Sequence, residues 1–216
     1  MKKFKFIIIF IILIFSLVGC SKKIESIPME AINIDFQVET VDNGTITLDY
    51  PSEDWTKGES SNPEVIKVVL YSNNENLEEN TNIIVGTTAS STNIPLEDYV
   101  QLLPAQLEKS SPGTKVTVAE YRKINDIPVS YIEINTKMTE EAMEYGLQKG
   151  IFTEQTIEAE GGKEAFINKP ETKQIQMSIS FKDRITSITG TYSKDEEKEI
   201  VLKAMQTMVQ TAKLKG

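Results

Sequence analysis

Few residues in this chain have side chains suited to catalysis or metal binding, because it contains one cysteine, Cys20, and no histidine. Without histidine there is no histidine acid–base catalysis, no Ser-His-Asp triad and no HExxH zinc site. No serine is followed three residues later by lysine, and neither a GxGxxG pattern nor a P-loop occurs. The sequence therefore predicts a protein that is not an enzyme and that has no metal site and no cofactor.

Carboxylates are the remaining candidates, since the chain has 32 aspartates and glutamates. The densest groups are Glu140, Glu141 and Glu144, and the run of acids between residues 195 and 199. A facing pair of carboxylates could hydrolyse a glycoside, and a cluster could hold Ca²⁺. Their spacing matches no EF-hand loop, so we interpret them as solvated helix faces and helix caps.

Cys20 follows an N-terminal stretch that is typical of an export signal. Lys2, Lys3 and Lys5 precede a run from residue 6 to 18 that is apolar except for Ser16. A basic start, a short apolar run and small residues at its end predict a cleaved signal peptide. The run is shorter than the roughly 20 apolar residues that span a bilayer, so cleavage fits better than the alternative, an uncleaved anchor.

The four residues Leu17, Val18, Gly19 and Cys20 resemble the lipobox of bacterial lipoproteins. The resemblance implies that residues 1–19 are a signal peptide, and that Cys20 carries diacylglycerol and becomes the first mature residue. It also implies palmitate-type acylation and a lipid anchor on the extracytoplasmic face of the cell membrane. Each buried methylene contributes about 0.8 kcal/mol, so two or three chains give stable anchoring. An acylated Cys20 is unavailable for a disulfide, a metal or a nucleophilic attack.

Removal of residues 1–19 leaves 197 residues and takes away three lysines, which changes the formal charge from −9 to −12. This length suits one domain, and we assign it to residues 31–216. An acidic surface repels nucleic acid, so no nucleic-acid partner is expected. Residues 20–30 are interpreted as a tether, in which Lys22 and Lys23 either rest against anionic lipid or are solvated.

Strand predictions rest on alternation of apolar and polar residues. Residues 32 to 38 alternate in this way, and Asn43-Gly44 predicts a tight hairpin turn, which we prefer to a glycan acceptor at Asn43-Gly44-Thr45. A second strand runs from residue 46 to 50 and ends at Pro51. Further strands are predicted at residues 65–71, 82–89, 115–121, 127–136, 175–181 and 185–192.

Two helices and one weaker helix follow from a period of 3.6 residues. Residues 96 to 107 have an apolar face, although Pro104 is expected to kink or shorten that helix. Residues 138–148 form the weaker one, with Thr139 as its cap, and residues 150–173 an excursion rather than a second domain. The C-terminal helix has a capping-box signature at Ser193 and Glu196. Its apolar stripe is Val201, Met205, Met208, Val209 and Ala212. This order predicts an α+β fold with an antiparallel or mixed sheet covered by helices.

The segment Tyr50-Pro51-Ser52-Glu53-Asp54-Trp55 resembles the opening of the PsbP and Mog1 superfamily, in which a strand ends in a Tyr-Pro-x-x-Trp-like turn. The order of elements from about residue 46 to 214 is also similar. The resemblance implies an α/β/α sandwich with a central, mainly antiparallel sheet, and the motif residues Tyr50, Pro51 and Trp55. Trp55 is interpreted as a core residue beside Pro51 rather than a ligand platform.

The superfamily includes lumenal photosystem subunits, a Ran-binding nuclear protein and envelope lipoproteins of the DcrB type, so the resemblance implies binding rather than catalysis. We therefore expect a membrane-anchored lipoprotein that binds another envelope protein or supports a membrane complex. The alternative is a small-ligand or cation-binding lipoprotein that serves a transporter.

Overall fold

The fold was analysed in a computed structural model that describes residues 24–60, 63, 64, 66–74, 77, 81–89, 95–181 and 184–215. Its strands are β1 (Ile27–Pro28), β2 (Val38–Asp42), β3 (Ile46–Pro51), β4 (Trp55–Gly58), β5 (Ile66–Ser72), β6 (Asn82–Ala89), β7 (Thr114–Ile124), β8 (Ile127–Thr136), β9 (Thr172–Phe181), β10 (Arg184–Tyr192) and β11 (Lys213–Leu214). Its α-helices are α1 (Leu96–Ser110), α2 (Glu140–Gln148), α3 (Glu154–Ala159), α4 (Gly162–Ile167) and α5 (Lys198–Thr211).

The strands form a central sheet of eight strands in the order β1-β7-β8-β9-β10-β6-β5-β4, and a small sheet in the order β11-β3-β2. Every pairing is antiparallel except that of β1 with β7, which is parallel. The sheet is therefore mainly antiparallel, as the sequence predicts.

Helices cover both faces of the central sheet, which confirms the predicted α+β sandwich. On one face, α5 and the small sheet enclose the main core, which includes Val201, Met205, Met208 and Val209 of the predicted stripe. Gly190 on β10 lets α5 approach closely, because a Cβ there would lie 2.2 Å from Cγ1 of Val201. On the other face, α1 packs on a smaller apolar cluster of three buried residues, Leu103, Ile132 and Ile134.

Residues 27 to 37 form an extended N-terminal strap that crosses α5. The Ile32 amide donates to Gln210 Oε1 (2.9 Å), and Gln210 Nε2 donates back to the Ile32 carbonyl (3.0 Å). The prediction of a strand at residues 32 to 38 is wrong, since pairing begins only at Val38. The alternation arises because one side of the strap is half-buried against the domain and the other is exposed.

The start of the strap also lies within residues that the sequence analysis assigns to a tether. Ile27 and Pro28 pair with Arg122 and Lys123 of β7, and the Met29 amide donates to the Lys123 carbonyl (2.8 Å). Contacts with the domain therefore begin at Ile27 rather than at residue 31.

The excursion between β8 and β9 is helical. Thr139 caps α2 as predicted, accepting from the Ala142 amide at 3.1 Å. The short helices α3 and α4 follow and share a small apolar cluster with α2, formed by Met143, Ile157 and Phe166. Residues 150–173 show little periodicity in the sequence because the two helices in this segment have only six residues each.

Two details of the helix predictions need correction. Pro104 does not shorten α1, which continues to Ser110. The carboxylate at the start of the C-terminal helical region is Glu197 and not Glu196, because Glu197 Oε2 accepts from the amides of Ser193 (2.9 Å) and Lys194 (3.0 Å). A 3₁₀ turn at Asp195–Glu197 precedes α5 and shifts the cap by one residue.

Candidate functional site

The motif residues Tyr50 and Trp55 lie in the main core, where Trp55 is 1% exposed. The Tyr50 hydroxyl donates to Glu39 Oε2 at 2.7 Å, and burial together with this acceptor raises the pKa of Tyr50 to about 12. Pro51 is also buried and pairs with Val38. This placement fits the interpretation of Trp55 as a core residue and gives it no ligand-facing surface.

Cys20 and the lipobox residues Leu17, Val18 and Gly19 lie outside the described residues. Their role as a lipidation site remains a prediction from the sequence. Among the residues that the structure does describe, no helix has the length and apolar character needed to cross a membrane.

A partly buried charged network joins the β7–β8 hairpin to α5. Lys198 Nζ donates to both carboxylate oxygens of Glu133, at 2.8 and 2.9 Å, and the Tyr131 hydroxyl donates to Glu133 Oε1 at 2.5 Å. The Arg122 guanidinium lies 3.6 Å from the centre of the Tyr131 ring, and its Nε donates to Glu120 Oε2 at 2.7 Å. We call these five residues the hairpin network.

The network keeps Tyr131 and Glu133 in their ordinary charge states at neutral pH. Burial and the hydrogen bond to Glu133 raise the pKa of Tyr131, so its phenol stays protonated. Burial pulls the pKa of Glu133 upward, but hydrogen bonds from Lys198 and Tyr131 outweigh it and hold that pKa below its usual value. Neither shift produces a general base or acid near pH 7, so the network is suited to fixing the hairpin against α5.

Sequence patterns do not predict this network, because its members are far apart along the chain. Lys198 and Glu133 are 65 positions apart. One feature of the sequence pointed to it. Glu133 lies on the same face of its strand as Val129 and Tyr131, which are both buried. Its partner could be named only once the packing of α5 was known.

A second polar group lies beneath α1, on the opposite face of the sheet. We call it the hydroxyl layer, and its members are Tyr99, Ser130, Gln176, Ser178, Ser187 and Thr189. Ser178 and Ser187 hydroxyls lie 2.9 Å apart, and Gln176 Nε2 donates weakly to both. The Tyr99 hydroxyl is hydrogen-bonded to the same three side chains, although burial raises the pKa of Tyr99 overall.

Two members of the layer have a buried hydroxyl without a hydrogen-bond partner. Ser130 is 0% exposed and Thr189 is 4% exposed. Buried polar groups in proteins are normally hydrogen-bonded, and one left unpaired costs about 1–3 kcal/mol. The two hydroxyls therefore have unused hydrogen-bonding capacity.

Of the acidic residues that the sequence singled out, Glu197 is buried and caps the start of the C-terminal helical region, whereas Glu140 and Asp195 are paired with lysines at the surface. Glu140 pairs with Lys163, and Asp195 pairs with Lys173 at 2.7 Å. Within the described ranges, no three metal-ligating side chains form a group that could hold an ion. Solvated ion pairs and helix starts account for these carboxylates.

Comparison with solved structures identifies the fold. The solution structure of cyanobacterial PsbP from Synechocystis sp. PCC 6803 matches with a TM-score of 0.50 at 10% identity, covering 83% of this chain and 92% of that one. The Saccharomyces cerevisiae Ran-binding protein Mog1p matches with a TM-score of 0.51 at 11% identity, covering 83% and 96%. LpqN, involved in cell envelope biogenesis of Mycobacterium tuberculosis, has a TM-score of 0.46 at 14% identity, covering 84% and 92%.

No family model and no curated protein matches the chain in sequence. At these identities, the likeness to the PsbP and Mog1p structures shows a shared fold. It confirms the predicted PsbP/Mog1-like architecture of a central sheet flanked by helices.

Proposed function

We propose that this chain, with its PsbP/Mog1-like fold, is a membrane-anchored extracytoplasmic lipoprotein that works as a non-enzymatic binding module of the cell envelope. The observation that carries the proposal is the lipobox-like sequence ending at Cys20, only seven residues before β1 begins to pair with β7 at Ile27. Seven residues reach at most about 23 Å, so the anchor holds the domain close to the bilayer.

The position of β1 supports this arrangement. It lies at an edge of the central sheet, and Ile27 is 47% exposed. The preceding chain can therefore leave the domain without crossing its core.

A binding role agrees with the state of the charged groups. The hairpin network satisfies its charges internally, and its tyrosine has a raised pKa. The mature charge of −12 favours an envelope protein with a basic surface as the partner, and disfavours nucleic acid.

The anchor is tested by metabolic labelling with a palmitate analogue. Wild type should be labelled and processed, whereas Cys20→Ala should lose the label and accumulate as the precursor. Ser21→Ala is the matched control and should remain labelled. Labelling that persists in Cys20→Ala would overturn the anchor.

The binding role is tested by crosslinking in native membranes followed by pull-down. A partner that is recovered reproducibly with wild type, and not from membranes of cells that lack the chain, supports the proposal. Recovery of no partner, together with turnover of a substrate by the purified domain, would refute it.

A second candidate function is the binding of a small ligand, in the manner of a lipoprotein that serves a transporter. The observation that favours it is the hydroxyl layer, whose buried hydroxyls have unused hydrogen-bonding capacity.

A further inference from the structure

We propose that the hydroxyl layer is a binding site for a small, neutral, polyhydroxylated molecule such as a polyol or a sugar. The inference deepens the second candidate function and does not depend on the lipid anchor. It rests on the placement of the layer, on the chemistry of its unpartnered atoms, and on the way α1 is held.

The layer is continuous across the middle of the sheet. Ser130 on β8 is directly opposite Ser178 on β9, which is directly opposite Ser187 on β10. In the next row, Gln176 is opposite Thr189. Directly opposite side chains on one face have Cβ atoms about 4.5–5.5 Å apart, so the unpartnered hydroxyls of Ser130 and Thr189 border the bonded group formed by the others.

The first row of the layer consists of small side chains, those of Ser130, Ser178 and Ser187. The apolar residues of β8 on this face begin in the next row, where Ile132 is opposite Gln176, and continue with Ile134. The sheet therefore changes from an apolar to a hydroxyl-bearing surface beneath a single helix.

The chemistry of the unpartnered atoms selects the ligand. The unpartnered serine and threonine hydroxyls of the layer both donate and accept, so a hydroxyl-bearing ligand matches them. No member of the layer carries a charge, so an anionic ligand would enter without a counter-charge.

The helix that covers the layer is held by fewer apolar residues than the helix on the other face. Three apolar side chains of α1 are buried, Leu96, Val100 and Leu103, whereas α5 buries five, Val201, Ala204, Met205, Met208 and Val209. Elements with little buried apolar contact open at a lower free energy than the core. The site is closed in the structure, and α1 is the wall that moves to admit a ligand.

The experiment is an NMR titration of mature chain 20–216 carrying Cys20→Ser, which keeps every described element and removes the acylation site. The probes are glucose, myo-inositol and glucuronate, which compare neutral polyols with an anion of similar shape. We expect saturable amide shifts confined to α1, β8, β9 and β10 with at least one of the two neutral probes, and none with glucuronate.

Variants connect the shifts to the layer. Thr189→Val removes the hydroxyl at constant shape and should raise the Kd at least tenfold, as should Ser130→Ala, while Thr189→Ser should restore binding. Thr186→Val is the matched control, because Thr186 lies on the opposite face and bonds Thr87 at 3.2 Å. It should bind as wild type does.

Failure of both neutral probes to give saturable shifts would overturn the proposal and leave the layer as a site for ordered water only. Equal affinity in wild type and in the Thr189→Val and Ser130→Ala variants would overturn it as well. Either result leaves the lipoprotein proposal intact, because that proposal is judged by labelling of Cys20 in membranes.

Discussion

Replacement of Lys198 by methionine tests the hairpin network, because it keeps the length of the side chain and removes its charge. The change leaves the Glu133 carboxylate without its ammonium partner, which it otherwise contacts through both oxygens at 2.8 and 2.9 Å. Glu133 then has the Tyr131 hydroxyl as its remaining hydrogen-bond donor in the network.

The size of the effect follows from the burial of the pair. The side chains of Glu133 and Lys198 are 18% and 34% exposed, so the pair is intermediate between a buried and a fully exposed ion pair. Exposed ion pairs contribute about 0–1 kcal/mol, and removal of one partner from a buried pair costs about 3–5 kcal/mol. After allowance for the solvent at Lys198, we expect Lys198→Met to lower the free energy of unfolding by about 1–3 kcal/mol.

Urea unfolding of the mature chain with Cys20→Ser measures the change. With a slope of about 2 kcal/mol per molar, the midpoint should fall by roughly 0.5–1.5 M. Since the network lowers the pKa of Glu133 in the folded state, its contribution is complete above the ordinary value of 4.5 and is lost as pH falls through the lowered pKa. The difference in unfolding free energy between wild type and variant should therefore narrow as the pH falls below 4.5.

Lys163→Met is the control, because the Lys163–Glu140 pair is 53% and 62% exposed. It should leave the urea midpoint nearly unchanged, because solvent screens the exposed pair. An effect of Lys198→Met no larger than that of Lys163→Met, or one that does not depend on pH, would refute the assignment of the network as a tie between the hairpin and α5.

Three further substitutions test the packing. Trp55→Ala should lower the free energy of unfolding by about 3–5 kcal/mol. Trp55→Phe should lower it clearly less, because Nε1 of Trp55 has no hydrogen-bond partner to lose. Equal losses for the two variants in urea unfolding would contradict this account. Gly190→Ala should destabilise by about 1–3 kcal/mol through the contact with Val201, and adding Val201→Ala should recover part of that loss in a double-mutant cycle. Glu197→Ala should lower the thermal midpoint, because the helix cap that it removes contributes about 1–2 kcal/mol to the free energy of unfolding. Glu196→Ala should leave the midpoint nearly unchanged. A larger effect of Glu196→Ala would instead support the capping box predicted from the sequence at Ser193 and Glu196.

Sequence patterns predict most elements of this fold because they report on which side of a segment is buried. The same property explains the error at the N-terminal strap. Ile32, Ile34 and Phe36 are half-buried and their neighbours exposed, yet the strap lies on α5 instead of pairing in a sheet. Alternation thus identifies an extended, one-sided segment and does not identify what covers it.

The candidate sites were harder to predict for a related reason. Ser178, Ser187 and Thr189 sit at polar positions of alternating strands, which normally face water, but α1 covers them. Glu133 and Lys198 look like ordinary surface charges until α5 is placed beside β8. Such sites depend on contacts between distant segments, whereas helix caps such as Thr139 depend on neighbours three residues away.

The strap has a consequence for the order of events during synthesis. Its hydrogen bonds join Ile32 to Gln210, 178 positions later, so the strap reaches its native contacts only after α5 has formed. Contacts of such long separation slow folding, because the intervening chain must be closed before they form. Until α5 is made, the apolar face that receives Val201 and Met205 has no cover, and a chain truncated before Lys198 would present that face to other molecules. A nascent chain therefore exposes this apolar face until α5 has been synthesised.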